Sequence, residues 1–226
     1  MTGVTGAGTL GVYGGTFNPI HLGHLRAAEQ VVEQLGLERL LFVPSGTPPH
    51  KPEERMAPAR LRLEWVRRAV ASNKRFEVDA LEVERAGPSY SVDTLAAIGA
   101  RIAPRKPVFV IGCDALAELD TWREPARLLE LAHVAVVARP GERADRLLPG
   151  CLPPSLAGAF TLAADGRSAR HASAGTWLRW VEIEALPISS TDVRERIRAG
   201  RSIRYLVPDA IHDELLACAD YAGTER

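Results

Sequence analysis

Cysteine is scarce in this chain, net charge is absent and no long apolar run occurs, and each shortage excludes something. The three cysteines, Cys113, Cys151 and Cys218, lie far apart without metal-ligand spacing. A reduced intracellular, cytoplasmic setting is the simplest expectation. Lys plus Arg equals Asp plus Glu at 28 each, so no global basic field draws the chain to nucleic acid or to a membrane surface. An anionic ligand must instead be met by a local cluster of donors. No apolar run reaches the length of a bilayer span, and Met1 to Thr9 is too short and too polar for a signal peptide, so it is expected to be a flexible tail. No internal repeat is present.

What is there suits one ordinary globular domain: 226 residues, 46% hydrophobic and 25% charged. Short apolar runs alternate with longer amphipathic stretches, the pattern of a parallel sheet with helices on both faces. Strands are predicted at Leu10–Tyr13, Leu40–Val43, Val108–Ile111, Val134–Ala138 and Val181–Ala185, with Phe76–Glu84 extended. Helices are predicted from about His21 to Leu35, Pro58 to Ala71, Ser91 to Ile102, Glu124 to Leu131, Thr191 to Ala199 and Pro208 to Ala219. The expected fold is α/β, a single doubly wound, Rossmann-like parallel sheet with a small C-terminal helical part over 188–219. Gly141 to Gly175, rich in Pro, Gly, Ala and Ser, has no readable period and is expected to be an irregular insertion.

The most informative stretch is Gly14-Gly15-Thr16-Phe17-Asn18-Pro19-Ile20-His21-Leu22-Gly23-His24. It joins a buried strand to an amphipathic helix, where an open α/β sheet places its ligand crevice. Glycines there let the backbone approach a phosphate, and the helix start offers unpaired N–H groups. His21 and His24, three apart, share one face of the first turn, and Gly23 between them leaves room for a ligand. Two imidazoles can donate to oxygens that gain charge, and protonate readily near a polyphosphate. The GxGxxG spacing is absent, as is a P-loop Gly-Lys-Ser/Thr. The plainer alternative is that both histidines only cap and pack the helix.

Further along, Ser189-Ser190-Thr191 precede a helix with Arg194 one turn inside; hydroxyls, free N–H groups and a guanidinium fork could hold phosphate oxygens together. Gly112 and Asp114 follow a central strand, where glycine allows close approach and the acid can accept from a ribose. Each of these is equally an ordinary cap or surface residue when taken alone.

Gly14 to His24 resembles the nucleotidylyltransferase superfamily, whose His-x-Gly-His element binds ATP phosphates. From about Leu10 to Ile211, omitting Gly141 to Gly175, the chain is most similar to the bacterial nicotinate-nucleotide adenylyltransferases. The resemblance implies an AMP transfer from ATP to nicotinate mononucleotide, with deamido-NAD and pyrophosphate as products. It implies that His21, His24 and Arg194 are catalytic. It places Gly14, Gly15, Thr16, Phe17, Lys51, Gly112, Asp114, Ser189, Ser190 and Thr191 around ATP. It also places Tyr90, Ser91, Thr94, Trp122 and Arg139 around the acceptor, with Trp122 stacking on the pyridine ring. Members often carry Asp where this chain has Asn18, and Thr where it has Ser91. Tyr205-Leu206-Val207-Pro208 matches a family segment read as structural. Magnesium is expected to travel with ATP, with no metal site of the protein's own. Partners are thus ATP and the mononucleotide, with no nucleic acid and no membrane; a homo-oligomer is left open. Other acceptors (nicotinamide mononucleotide, phosphopantetheine, or a phosphorylated alcohol with CTP) and a non-catalytic NAD or ATP sensor remain as alternatives.

Overall fold

A computed structural model describes residues 9–47, 56–138, 151–164 and 166–222. Its strands are β1 (Leu10–Gly15), β2 (Arg39–Pro44), β3 (Phe76–Val78), β4 (Val108–Gly112), β5 (His133–Ala138), β6 (Phe160–Leu162), β7 (Ser168–His171) and β8 (Trp177–Glu182). The helices are α1 (Leu22–Leu35), α2 (Ala59–Val70), α3 (Leu81–Glu84), α4 (Ser91–Ile102), α5 (Cys113–Ala117), α6 (Pro125–Leu131), α7 (Pro154–Ala157), α8 (Ser190–Arg198) and α9 (Asp209–Leu216). All eight strands join one sheet, in the order β3-β2-β1-β4-β5-β8-β7-β6. The first six in that order are parallel, and β7 runs antiparallel to both its neighbours.

The central strands are apolar at nearly every position because both faces are covered. Val12, Leu41, Val43, Phe109, Ile111 and Val136 point into a core shared with α4 and α6. Leu40, Phe42, Val108, Val110 and Ala135 alternate with them into a second core with α1, α2, α8 and α9. Burying each such Val, Leu or Ile is worth about 1.5–3 kcal/mol. The chain leaves β1 toward β2 and β3, then returns to place β4 on the other side of β1. That reversal opens a crevice beyond the carboxyl ends of β1 and β4.

Three expectations need correction. The run Phe76–Glu84 is extended only to Val78 and then turns into α3, because Asp79 accepts from the Leu81 N–H at 2.9 Å and starts a helical turn. The last long strand lies at Trp177–Glu182 rather than Val181–Ala185. Arg179 interrupts its apolar run, its guanidinium lying 5.3 Å over the Trp177 ring. The stretch 141–175 is not an irregular excursion in its described part: β6 and β7 extend the main sheet through β8. At three and four residues, both strands are too short to show a period.

Candidate active site

The crevice is built from the two strand ends at the switch point. β1 ends on Gly14-Gly15, the turn that follows leads into α1, and His21 is the N-cap of that helix. The two histidines cap it reciprocally. His24 N–H donates to Nδ1 of His21, and His21 N–H donates to Nδ1 of His24, each at 3.3 Å. The rings stack with centroids 3.7 Å apart. A nitrogen that accepts carries no proton, so each neutral ring keeps its proton on Nε2 and can donate without being ionised. Capping and ligand binding, posed as alternatives from the sequence, are compatible. Gly23 has a different reason from the one expected: a Cβ there would lie 3.0 Å from His21 Nδ1 and 3.4 Å from the Ile188 carbonyl. The imidazole and the backbone occupy that space.

Phe17 is buried and packs edge-on against Tyr13 and His24, with centroids 5.7 and 5.2 Å away. Asn18 links distant parts of the chain. Its Oδ1 accepts from the Ala57 N–H at 3.1 Å and from the Tyr221 hydroxyl at 2.5 Å. Its carbonyl accepts from Arg194 Nη1 at 2.6 Å. Burial raises the Tyr221 pKa, so its hydroxyl stays a donor.

On the opposite wall, Ser189 caps α8 by accepting from the Asp192 N–H at 3.0 Å. Ser190 Oγ donates to the Pro19 carbonyl at 2.9 Å, tying α8 to the glycine turn. The N–H groups of Ser190 and Thr191 then have no intrahelical acceptor. Arg194 Nη2 donates to the Thr191 hydroxyl at 3.2 Å. Burial lowers the Arg194 pKa; Tyr221 opposes this and Arg198 adds to it.

Three adjoining cavities run along this end of the sheet. The first, about 310 Å³, has an apolar floor including Val110, Ile183 and Leu186, with His21, His24, Gly112, Asp114, Ser189 and Ser190 at its rim. The second, about 630 Å³, is lined by Gly14 to Asn18, His24, Ser190, Thr191, Arg194 and Arg198. The third, about 340 Å³, is lined by Gly14 to Thr16, Ser45, Glu82, Tyr90, Ser91, Trp122 and Arg123. Tyr13, His24 and Ser190 belong to both the first and the second. Gly14, Gly15 and Thr16 belong to both the second and the third.

The structure therefore gathers nearly all the residues singled out from the sequence. Thr94 is the exception among those described: it is buried, and its hydroxyl donates to the Glu82 carboxylate at 2.6 Å, beneath the third cavity rather than lining it. Burial raises the Glu82 pKa, partly countered by Thr94 and Arg85. Lys51 and Arg139 lie outside the described residues. Sequence reasoning missed Tyr13, Arg123, Arg198 and the buried Gln30. The last exchanges two hydrogen bonds with the Glu184 backbone, at 3.2 and 2.8 Å, and so fixes the segment that floors the first cavity. Tyr13 had a signal, standing immediately before the glycine pair; Gln30 had none. Among the described residues, no group of three or more His, Cys, Asp or Glu is placed to hold a metal. No helix there is long and apolar enough to cross a membrane.

A cytidylyltransferase-like family model matches residues 12–196. A probable nicotinate-nucleotide adenylyltransferase of Citrifermentans bemidjiense is 42% identical over 89% of this chain and 93% of its own. One from Syntrophotalea carbinolica is 41% identical over 96% of this chain and 99% of its own. The chain belongs to the nicotinate-nucleotide adenylyltransferase family. The nicotinic acid mononucleotide adenylyltransferase of Plasmodium falciparum, solved with NaAD, has the same fold at 13% identity, with a TM-score of 0.67 over 93% of this chain and 95% of that one. In this nicotinate-nucleotide adenylyltransferase family member, the Tyr205–Pro208 segment clasps the start of α1: the Leu22 N–H donates to the Leu206 carbonyl at 2.9 Å.

Proposed function

We propose that the chain transfers the adenylyl group of ATP to nicotinate mononucleotide, in the cytoplasm, giving deamido-NAD and pyrophosphate. The observation that carries this is the row of cavities with shared walls: an apolar nucleoside slot, a donor-rich middle and an aromatic pocket. Adenosine fits the first, with Asp114 toward the ribose. A Cβ at Gly112 would meet nothing within 4 Å, so packing does not require the glycine and the space beside it is open to a ligand. The triphosphate lies across the second cavity, against the N–H groups of α8, Thr16 and the arginines. The mononucleotide takes the third, its pyridine ring on Trp122 and its carboxylate at the first turn of α4 beside Tyr90 and Ser91.

The acceptor phosphate is already an anion at neutral pH, so no base or covalent intermediate is needed. It attacks the α-phosphorus, and the bond to the β-phosphate breaks with its electron pair on the departing pyrophosphate. The protein aligns two mutually repelling anions and meets the growing charge with donors already in place. His21 and His24 serve the α and β phosphates through Nε2–H. Magnesium would enter as part of the MgATP substrate and would supply charge neutralisation to the phosphates.

The test is pyrophosphate release with MgATP and either nicotinate or nicotinamide mononucleotide. The expected result is a preference for the nicotinate form of about tenfold or more in kcat/KM. Equal use would make the enzyme dual in specificity. Silence with both overturns the proposal in favour of another acceptor or a sensor.

A further inference from the structure

Arg198 lies four residues beyond Arg194 on α8 and lines the same middle cavity. The two arginines differ in what they already hold. Arg194 uses one N–H of Nη1 on the Asn18 carbonyl and one of Nη2 on the Thr191 hydroxyl, so its fork braces the glycine turn against α8 while each of these nitrogens keeps a second N–H. Arg198 has a buried Nη2 with no hydrogen-bond partner. Among the described residues it joins no ion pair, although Arg196 beside it is held by Asp192 at 2.8 Å. Glu195 borders the cavity too, without reaching either guanidinium as an ion pair among the described residues.

A buried guanidinium nitrogen without an acceptor is costly, and two cations one turn apart compound the cost. Both costs are relieved when an anion with several oxygens enters the cavity. Resting on the adenylyl-transfer reading, we propose that Arg198 takes the terminal phosphate of ATP and then the departing pyrophosphate, beside Arg194. Arg198 is a binding residue in this account, and it accepts and gives no proton.

The experiment compares Arg198→Gln and Arg198→Lys with the wild-type chain, using inorganic pyrophosphate, ATP and AMP as calorimetric probes. For Arg198→Gln, pyrophosphate and ATP should each bind about tenfold more weakly, the size of one charged hydrogen bond. AMP, which lacks the outer phosphates, should bind within about twofold of wild type, as should KM for the mononucleotide. Arg198→Lys should recover part of the loss, since it keeps the charge but not the fork. Pyrophosphate binding unchanged in Arg198→Gln would overturn the assignment, as would an equal loss for AMP, which would mark a disturbed helix. Pyrophosphate binding needs no acceptor, so a chain inactive with nicotinate mononucleotide would sink the proposed function while leaving this measurement readable.

Discussion

At the start of α1, His21 accepts from the His24 backbone through Nδ1, so the donation to phosphate proposed above would fall to Nε2. The two duties can therefore be separated by substitution. Asparagine is among the best N-caps, so His21→Asn should keep the helix start while removing the ring. Its melting temperature should stay close to wild type, with kcat lower by about 10²–10³, as for the loss of one preorganised donor. His21→Ala should show the same loss of kcat and also lose about 1 kcal/mol of stability. Thermal denaturation and pyrophosphate release on both variants decide the matter; full turnover in His21→Asn would reduce the ring to a cap. The histidines were legible in the sequence because strand, glycines and helix are contiguous there. What Asn18 does was not legible. Its partners Ala57 and Tyr221 lie 39 and 203 residues away, and no local spacing encodes contacts that only folding creates.

Among the elements, the loops beyond β1 and β2 are joined by one side chain of α2. Arg62 is wholly buried, and it donates to the carbonyls of Thr16 at 2.6 Å, Ser45 at 2.7 Å, Gly46 at 3.0 Å and Ala57 at 2.9 Å. Burial lowers its pKa, with Tyr221 opposing. Thr16 borders the middle cavity, and Thr16 and Ser45 border the third, so the spacing of the two proposed substrate sites depends on this guanidinium. Lysine brings a compact charge without the planar fork and leaves buried carbonyls unpaired. Arg62→Lys should lose about 2–4 kcal/mol of stability and raise KM for ATP and for the mononucleotide together. Urea denaturation and steady-state kinetics check this; a change in only one KM would contradict it. In the sequence Arg62 is one of four arginines on α2, with Arg60, Arg67 and Arg68. Nothing marks it as the inward one, because backbone carbonyls hold it and side-chain patterns do not report them. The long elements were legible from their apolar periods, whereas β6 and β7 were too short to have one.

For the molecule as a whole, the dependence of stability on pH has an identifiable contributor far from the crevice. His133, at the amino end of β5, accepts from the Trp177 N–H at 3.3 Å and stacks on its ring at 4.7 Å. Burial, with Lys106 and Arg170 adding to it, lowers its pKa to about 4. Unfolded, it titrates near 6.5, so between these values the unfolded chain binds the extra proton. The contribution to stability is complete above about pH 6.5 and is lost as pH falls toward 4, up to about 3 kcal/mol in all. His133→Phe should flatten that part of the acid limb, measured as urea midpoints across the window; an unchanged slope would remove His133 as its source.

The common walls of the three cavities bear on a different matter, the design of ligands. The middle cavity shares Tyr13, His24 and Ser190 with the first, and Gly14 to Thr16 with the third. A single molecule that bridges the two outer sites needs only a short linker, one that follows the glycine backbone. Once one end is seated, the other meets its pocket at an effective concentration of order millimolar. Affinity would then rise through tethering alone, without any new contact.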